Sequence, residues 1–143
     1  MKRRAPSRPE TPLPTEAELA ILSILWTTGP ATVREVHDAL SAKQIGYTTV
    51  LKQMQVMAEK GLLERSERFR SHVYGAALPK EQTQQQLAEN LLHRAFDGSA
   101  KNLVLGALSS QKPSAAELKE IRHLLNQFES EAQSHARSEK GSR

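Results

Sequence analysis

The side chains best suited to recognition chemistry lie in one stretch, residues 47–60, whose pattern predicts a helix. With successive residues about 100° apart, one arc of that helix carries Thr48, Thr49, Lys52, Gln53 and Val56. Hydroxyl and amide groups hydrogen-bond to base edges in a DNA groove, and a lysine contacts phosphate. An ordinary solvent-facing helix is polar too, but it usually carries more glutamate. The arc therefore favours contact with duplex DNA.

A second set of cations follows where the sequence pattern changes from helical to alternating. Residues 62–67 and 72–78 are typical of two short strands joined by a polar tip. The candidate phosphate contacts in this hairpin are Arg65, Arg68 and Arg70. Together with Lys52 they would neutralise about four phosphates per half-site and make binding fall steeply with salt. Glutamates alternate with these arginines, as they would in a hairpin that is only hydrated.

Catalytic and metal-binding patterns are weak in this sequence. The histidines are scattered over different predicted elements without a repeated ligand spacing: His37, His72, His93, His123 and His135. Glu120 and His123 share a helical face, but that spacing is common by chance. The chain has no cysteine, which excludes disulfides and thiolate ligands, and it has no glycine-rich phosphate loop. We therefore predict that it is not an enzyme and needs no metal or cofactor.

The elements that must position these side chains begin at recognisable motifs. In the capping box a hydroxyl and a carboxylate satisfy the free N–H groups of a first helical turn, and it occurs at 15–18, 32–35 and 114–117. The periodicity predicts helices over residues 16–26, 33–41, 47–60, 81–96, 100–109 and 115–136. Gly61 is placed to end the third helix in a left-handed conformation. The apolar arc of that helix, expected in the core, consists of Tyr47, Val50, Leu51, Met54, Met57 and Ala58.

Helix, short helix, turn, helix and hairpin is the order of a winged helix-turn-helix, in which the third helix enters the major groove. The predicted fold class is mostly α with a small β-hairpin wing, followed by a C-terminal helical dimerisation segment. We divide the chain into a disordered basic tail (1–12), a winged-helix DNA-binding domain (13–78), a helical dimerisation region (79–137) and a disordered tail (138–143). The basic tail is either a DNA-contacting arm or a hydrated extension.

Apolar residues recur at helical spacing in the three C-terminal helices. Helices of this length cover one another poorly within one chain, so the pattern predicts burial against a second copy. The candidate dimerisation residues are Leu91, Leu103, Leu105, Leu118, Ile121, Leu124, Leu125 and Phe128. The alternative is a helical subdomain that packs on the winged helix of the same chain.

The bulk composition is that of an ordinary globular protein, with 143 residues of which 38% are hydrophobic and 25% are charged. A net charge of +4 gives mild support for a polyanionic partner. The chain lacks the run of about 18 apolar residues that a membrane span needs. No apolar stretch follows the basic N-terminal residues. We therefore expect neither membrane insertion nor secretion, and a cytoplasmic location.

Five segments in one collinear order resemble the BlaI/MecI/CopY family of penicillinase repressors. They are LPTEAELAILSILW (13–26), PATVREV (30–36), YTTV (47–50), KGLL (60–63) and FDGS (96–99). The resemblance covers residues 13–130 and implies a homodimer whose winged helices read a dyad-symmetric operator in double-stranded DNA. It also implies derepression when a membrane-embedded sensor metallopeptidase, commonly encoded next door, triggers cleavage of the repressor.

The chain departs from this family at several positions. Val56 and Glu59 stand where these repressors often carry a cation, and Phe69 replaces the usual glycine at the wing tip. The resemblance puts the cleavage region at Leu105, Gly106 and Ala107, but the Asn-Phe of the β-lactam-responsive members is Gly-Ala here. The copper-responsive branch uses C-terminal cysteines, which this chain lacks, so copper sensing is not predicted. Two alternatives stay open: a MarR-like winged-helix regulator released by a small molecule, and a winged helix used only for protein contacts.

Overall fold

The computed structural model describes residues 12–68 and 70–141. Within these ranges the elements follow the order α1 (Glu16–Thr28), α2 (Val33–Ala39), a 3₁₀ turn (Ser41–Lys43), α3 (Tyr47–Lys60), β1 (Leu63–Arg68), β2 (Ser71–Ala76), α4 (Lys80–Ala95), α5 (Ala100–Ser110) and α6 (Ala115–Gly141). Most of the predicted basic tail, and Phe69 at the predicted wing tip, lie outside the described residues. The mostly helical fold with one hairpin confirms the predicted class.

The first two capping boxes form in full. The hydroxyl of Thr15 accepts the N–H of Glu18 at 3.2 Å, and the carboxylate of Glu18 accepts the N–H of Thr15 at 2.9 Å. Thr32 and Glu35 repeat this exchange at 3.2 and 2.8 Å. At the start of α6, the Ser114 hydroxyl accepts an N–H at 3.1 Å. These local bonds fix where the helices begin, as the sequence pattern predicted.

Helix ends were harder to predict than helix starts. Helix α1 continues past Trp26 to Thr28, where the hydroxyls of Thr27 and Thr28 donate to carbonyls one turn back at 2.9 Å. Helix α2 ends at Ala39 instead of Ser41, and a 3₁₀ turn takes over. Helix α3 has the predicted bounds, because Gly61 ends it at φ 88° and ψ 9° in the left-handed region. Helix α6 runs to Gly141, beyond the predicted end at 136.

The hydrophobic core lies between α1, α2, α3 and the hairpin. Its buried members include Ile21, Leu22, Leu25, Val33, Val36, Leu40, Val50, Met54, Met57, Leu62, Leu63 and Tyr74. Leu51 and Ala58 pack at its edge, so most of the predicted apolar arc of α3 is confirmed. Tyr47 is a wrong assignment, because this first residue of α3 is 43% exposed, with its ring in a T-shaped contact with the ring of His37.

The hairpin is fixed to the helices along its inner edge. Strands β1 and β2 are antiparallel, with Leu63 opposite Ala76 and Arg68 opposite Ser71. On its other side β2 pairs with Ala31, which exchanges two backbone hydrogen bonds of 2.9 and 2.8 Å with Tyr74. These bonds join the wing to the segment between α1 and α2, so its base has little freedom to pivot.

A second tie joins the end of the hairpin to α1. The indole Nε1 of Trp26 donates to the backbone oxygen of Leu78 at 3.0 Å. The indole is amphipathic and only partly buried, so its polar edge satisfies a carbonyl while its rings pack against the core. This bond fixes the chain where it leaves β2 and approaches α4.

The chain divides into two compact units between Leu91 and Leu92, within α4. The boundary between a DNA-binding domain and a dimerisation region, at 78 and 79, stays a prediction. In the C-terminal unit, the apolar side chains of α5 and α6 are largely exposed. None of the helices in the described ranges combines the length and the apolar character that a membrane crossing requires.

Candidate nucleic-acid interface

The N-terminal end of α3 is held by the helix that precedes it. His37 of α2 donates from Nε2 to the backbone oxygen of Ile45 at 2.9 Å, since a carbonyl oxygen only accepts. The same imidazole meets the ring of Tyr47 edge-on, with centroids 5.8 Å apart. His37 therefore links α2 to both the loop before α3 and the first residue of α3.

The C-terminal end of α3 is held by a partly buried ion pair. Lys60 Nζ lies 2.7 Å from Oε2 of Glu18, whose side chain is only 6% exposed. The other carboxylate oxygen of Glu18 accepts the N–H of Thr15. Burial alone would raise the pKa of Glu18, but the bond and charge of Lys60 and the bonds from Thr15 outweigh it, so this pKa lies below its ordinary value. Helix α3 is thus tied to the first turn of α1.

Between these two ties, α3 presents a polar face to solvent. Thr48, Thr49 and Lys52 are exposed, as predicted from the helical spacing. Gln53 and Val56 are only half-buried at its margin. Sequence reasoning missed Gln55, which is exposed and lies three residues after Lys52 on the same side of the helix. The spacing alone was enough to find it.

The wing arginines are all exposed, but they do not share one face. Arg65 lies opposite Tyr74 and Arg68 opposite Ser71 in the strand register. Because successive strand residues alternate between faces, Arg65 and Arg68 point to opposite sides of the hairpin. Arg70 lies in the turn with a left-handed φ of 65°. The structure therefore does not bring the three predicted phosphate contacts together on one surface.

The charge of Arg68 acts on Glu35, in the first turn of α2. Hydrogen bonds from the backbone and hydroxyl of Thr32 lower the pKa of Glu35, and the nearby charge of Arg68 lowers it further. Oε1 of Glu35 accepts the backbone N–H of Thr32 at 2.8 Å in the capping box at the start of α2. The tip of the wing and the first turn of the helix-turn-helix therefore lie close enough to interact electrostatically.

Most of the predicted dimerisation residues are exposed apolar side chains of α4, α5 and α6. Leu103 and Ile121 are half-buried. The exposed members are Leu91, Leu105, Leu118, Leu124, Leu125 and Phe128. Phe128 is the most exposed of them at 64%. The predicted cleavage region, residues 105–107, is exposed and helical within α5.

The fold and the exposed face of α3 define a winged-helix DNA-binding regulator. A sequence model described as Penicillinase repressor matches residues 14–127. The chain therefore belongs to the penicillinase repressor family, which confirms the resemblance to the BlaI/MecI/CopY repressors. It is a transcriptional repressor of the BlaI type and not an enzyme.

Individual relatives support the same assignment. The Transcriptional regulator BlaI of Mycobacterium tuberculosis is 34% identical over 92 residues, which are 63% of this chain and 67% of that protein. The Penicillinase repressor of Staphylococcus aureus is 21% identical over 111 residues, 77% of this chain and 88% of that protein. The Penicillinase repressor of Bacillus licheniformis is 22% identical over 114 residues, 79% and 89% of the two chains.

Two solved structures are similar to this chain at a lower level. The solution structure of apo-NmtR has a TM-score of 0.42 and 24% identity, covering 80% of this chain and 98% of that chain. The disulfide-formed AbfR has a TM-score of 0.40 and 17% identity, covering 86% of this chain and 73% of that chain.

Proposed function

We propose that this repressor acts in the cytoplasm as a homodimer and binds a dyad-symmetric operator in double-stranded DNA through α3 and the wing. The observation that carries the proposal is the exposed face of α3, which holds Thr48, Thr49 and Lys52 on a helix tied at both ends to the core. A helix that contacts bases in the major groove must keep its base-facing side chains in register with the DNA. Such ties supply that rigidity.

The dimer is proposed to form through the C-terminal helices, with residues 13–78 left to bind DNA. A large apolar side chain gains about 1.5–3 kcal/mol when it is buried, and six of the candidate residues are exposed in the single chain. A second copy would bury them. Two-fold symmetry would then present two α3 helices to two half-sites, which matches a palindromic operator.

Release is proposed to follow the family's signalling route, in which a membrane sensor metallopeptidase encoded nearby triggers cleavage of the repressor. The candidate region is Leu105 to Ala107 in α5. Cleavage there would separate α6 from the winged helix and remove much of the proposed dimer surface. Since two weakly associated monomers cannot share the binding energy of both half-sites, the operator would be vacated.

A gel-shift titration tests the DNA-binding proposal. The probe is the DNA immediately upstream of the gene, and the control is a duplex of equal length and composition with a scrambled sequence. We expect a shift of the upstream probe at nanomolar to low micromolar dimer, stronger than for the control and weakened by salt. Equal binding of both duplexes at all salt concentrations, or no binding, would contradict the proposal.

A further inference from the structure

The outward side of α3 is a single ridge of exposed residues. Thr48, Lys52, Gln55 and Glu59 are all exposed and follow one another at spacings of four, three and four residues. Residues with these spacings are neighbours on a helix surface. Buried Val50, Met54 and Met57 occupy the opposite side, so the ridge is the part of α3 farthest from the core.

Gln53 and Gln55 carry the same amide but occupy different places on this helix. Gln53 lies three residues after Val50 and four before Met57, and both of these are fully buried. Gln53 is therefore on the flank of α3 and is half-buried there. Gln55 has exposed residues as ridge neighbours on both sides, Lys52 before it and Glu59 after it. Of the two amides, only that of Gln55 extends from the ridge.

We propose that Gln55, and not Gln53, is the glutamine of α3 that specifies a base in the operator, and that this base is adenine. The inference rests on the proposed function, in which α3 enters the major groove. A primary amide donates to N7 of adenine and accepts from its N6 amino group, a pairing that other base pairs do not offer. Lys52, one turn earlier on the ridge, would contact the neighbouring phosphate and set the depth of the helix.

The test compares Gln55→Ala with its matched control Gln53→Ala in full-length protein. The probe is a 30-bp duplex (about the length that covers two half-sites one turn apart) centred on the dyad protected by wild type in the gene's upstream DNA. Each base pair of one half-site is substituted in turn, and affinities are measured by fluorescence anisotropy. We expect the affinity of wild type to fall about 5-fold to 140-fold when one particular A·T pair is substituted. Gln55→Ala should bind the original and the substituted duplex equally well. Gln53→Ala should keep the wild-type preference there.

A modified base then identifies the contacted atom. Replacing the adenine with 7-deazaadenine removes the N7 acceptor and keeps Watson–Crick pairing. Wild type and Gln53→Ala should each bind this duplex with about 2-fold to 13-fold lower affinity, the effect of losing one hydrogen bond. The affinity of Gln55→Ala should not change. We expect both variants to have the wild-type melting temperature, because neither side chain is part of the core.

The outcomes separate this inference from the proposed function. If wild type shows no sequence preference at all, the proposed function itself fails. If wild type binds its dyad selectively but Gln55→Ala keeps every base preference, the inference is overturned. The inference also fails if Gln55→Ala weakens all duplexes equally, since that result marks a phosphate contact, or if Gln53→Ala is the variant that loses discrimination.

Discussion

Replacing Lys52 with alanine should change how strongly DNA binding depends on salt. Lys52 lies at the centre of the exposed ridge of α3, and no ion-pair partner for it occurs among the described residues. Each phosphate that a cation neutralises contributes about −0.9 to the slope of log affinity against log salt. A dimer has two copies of Lys52, so Lys52→Ala should make the slope shallower by about 1.8.

The wild-type slope follows from the arrangement of the wing. Since Arg65 and Arg68 face opposite sides of the hairpin, we expect only one of them to contact phosphate together with Arg70 and Lys52. About three contacts per half-site give a slope of about −5.4 for the dimer, against about −7.2 if all four cations were engaged. Between 50 and 200 mM salt, wild type should therefore lose about 1,800-fold in affinity and Lys52→Ala about 150-fold.

The assay is fluorescence anisotropy on a labelled operator duplex over this salt range. Lys101→Ala, which removes an exposed lysine from α5, is the matched control and should keep the wild-type slope. If Lys52→Ala keeps the wild-type slope, Lys52 does not neutralise a phosphate. An affinity loss restricted to particular base substitutions, with the slope unchanged, would instead make Lys52 a base contact.

Three further variants test contacts within the winged helix and the proposed dimer surface. Glu18→Gln removes the ion pair with Lys60 and should lower the free energy of unfolding by about 1–2 kcal/mol near neutral pH. The loss is modest because Lys60 is partly hydrated. Thermal unfolding measures it. Because the pKa of Glu18 is lowered by folding, its contribution is present above the ordinary value of 4.5 and is lost as the pH falls through the folded-state pKa, so the stability of Glu18→Gln should depend less on pH in that range. Leu124→Asp should give monomers in analytical ultracentrifugation and abolish operator binding, while the winged helix stays folded by circular dichroism. Gly61→Ala should destabilise the fold by about 1–2 kcal/mol in a denaturant titration, because φ is 88° at this position.

A different result would contradict each of these three predictions. Glu16→Gln is the control for Glu18→Gln, since Glu16 is an exposed acid in the same first turn of α1, and equal effects of the two would mean that the ion pair adds nothing. A dimeric Leu124→Asp would show that α6 does not carry the interface. An unchanged Gly61→Ala would mean that the end of α3 relaxes without strain.

Local patterns in the sequence were enough to predict much of the DNA-binding unit. Helix α3 was bounded correctly because glycine stands at each end of it and its apolar residues keep one period. The capping boxes of α1 and α2 involve residues three positions apart, so they are legible in the sequence. Tyr47 was misassigned because periodicity gives the direction of a side chain but not whether a neighbour extends far enough to cover it.

The contacts that hold α3 in place were beyond sequence reasoning. Glu18 and Lys60 are 42 residues apart, and neither has a local pattern that indicates the other. The pairing of Ala31 with Tyr74 involves one residue and has no periodicity. The opposition of Arg65 and Arg68 needed the strand register, which depends on how the turn is made. Gln55 differs from these cases, because counting along the helix would have included it.

The hairpin has one more consequence, which concerns self-association of the protein through its wing. Among the described strands, β1 pairs on one side only, so its other edge offers free N–H and C=O groups to any extended chain. Its sequence, Leu-Glu-Arg-Ser-Glu-Arg, places charge of both signs along that edge. Charged edge residues discourage a second strand from adding to a sheet. We therefore expect Glu64 and Glu67, with the arginines between and beside them, to discourage two copies of this protein from pairing edge to edge through their wings.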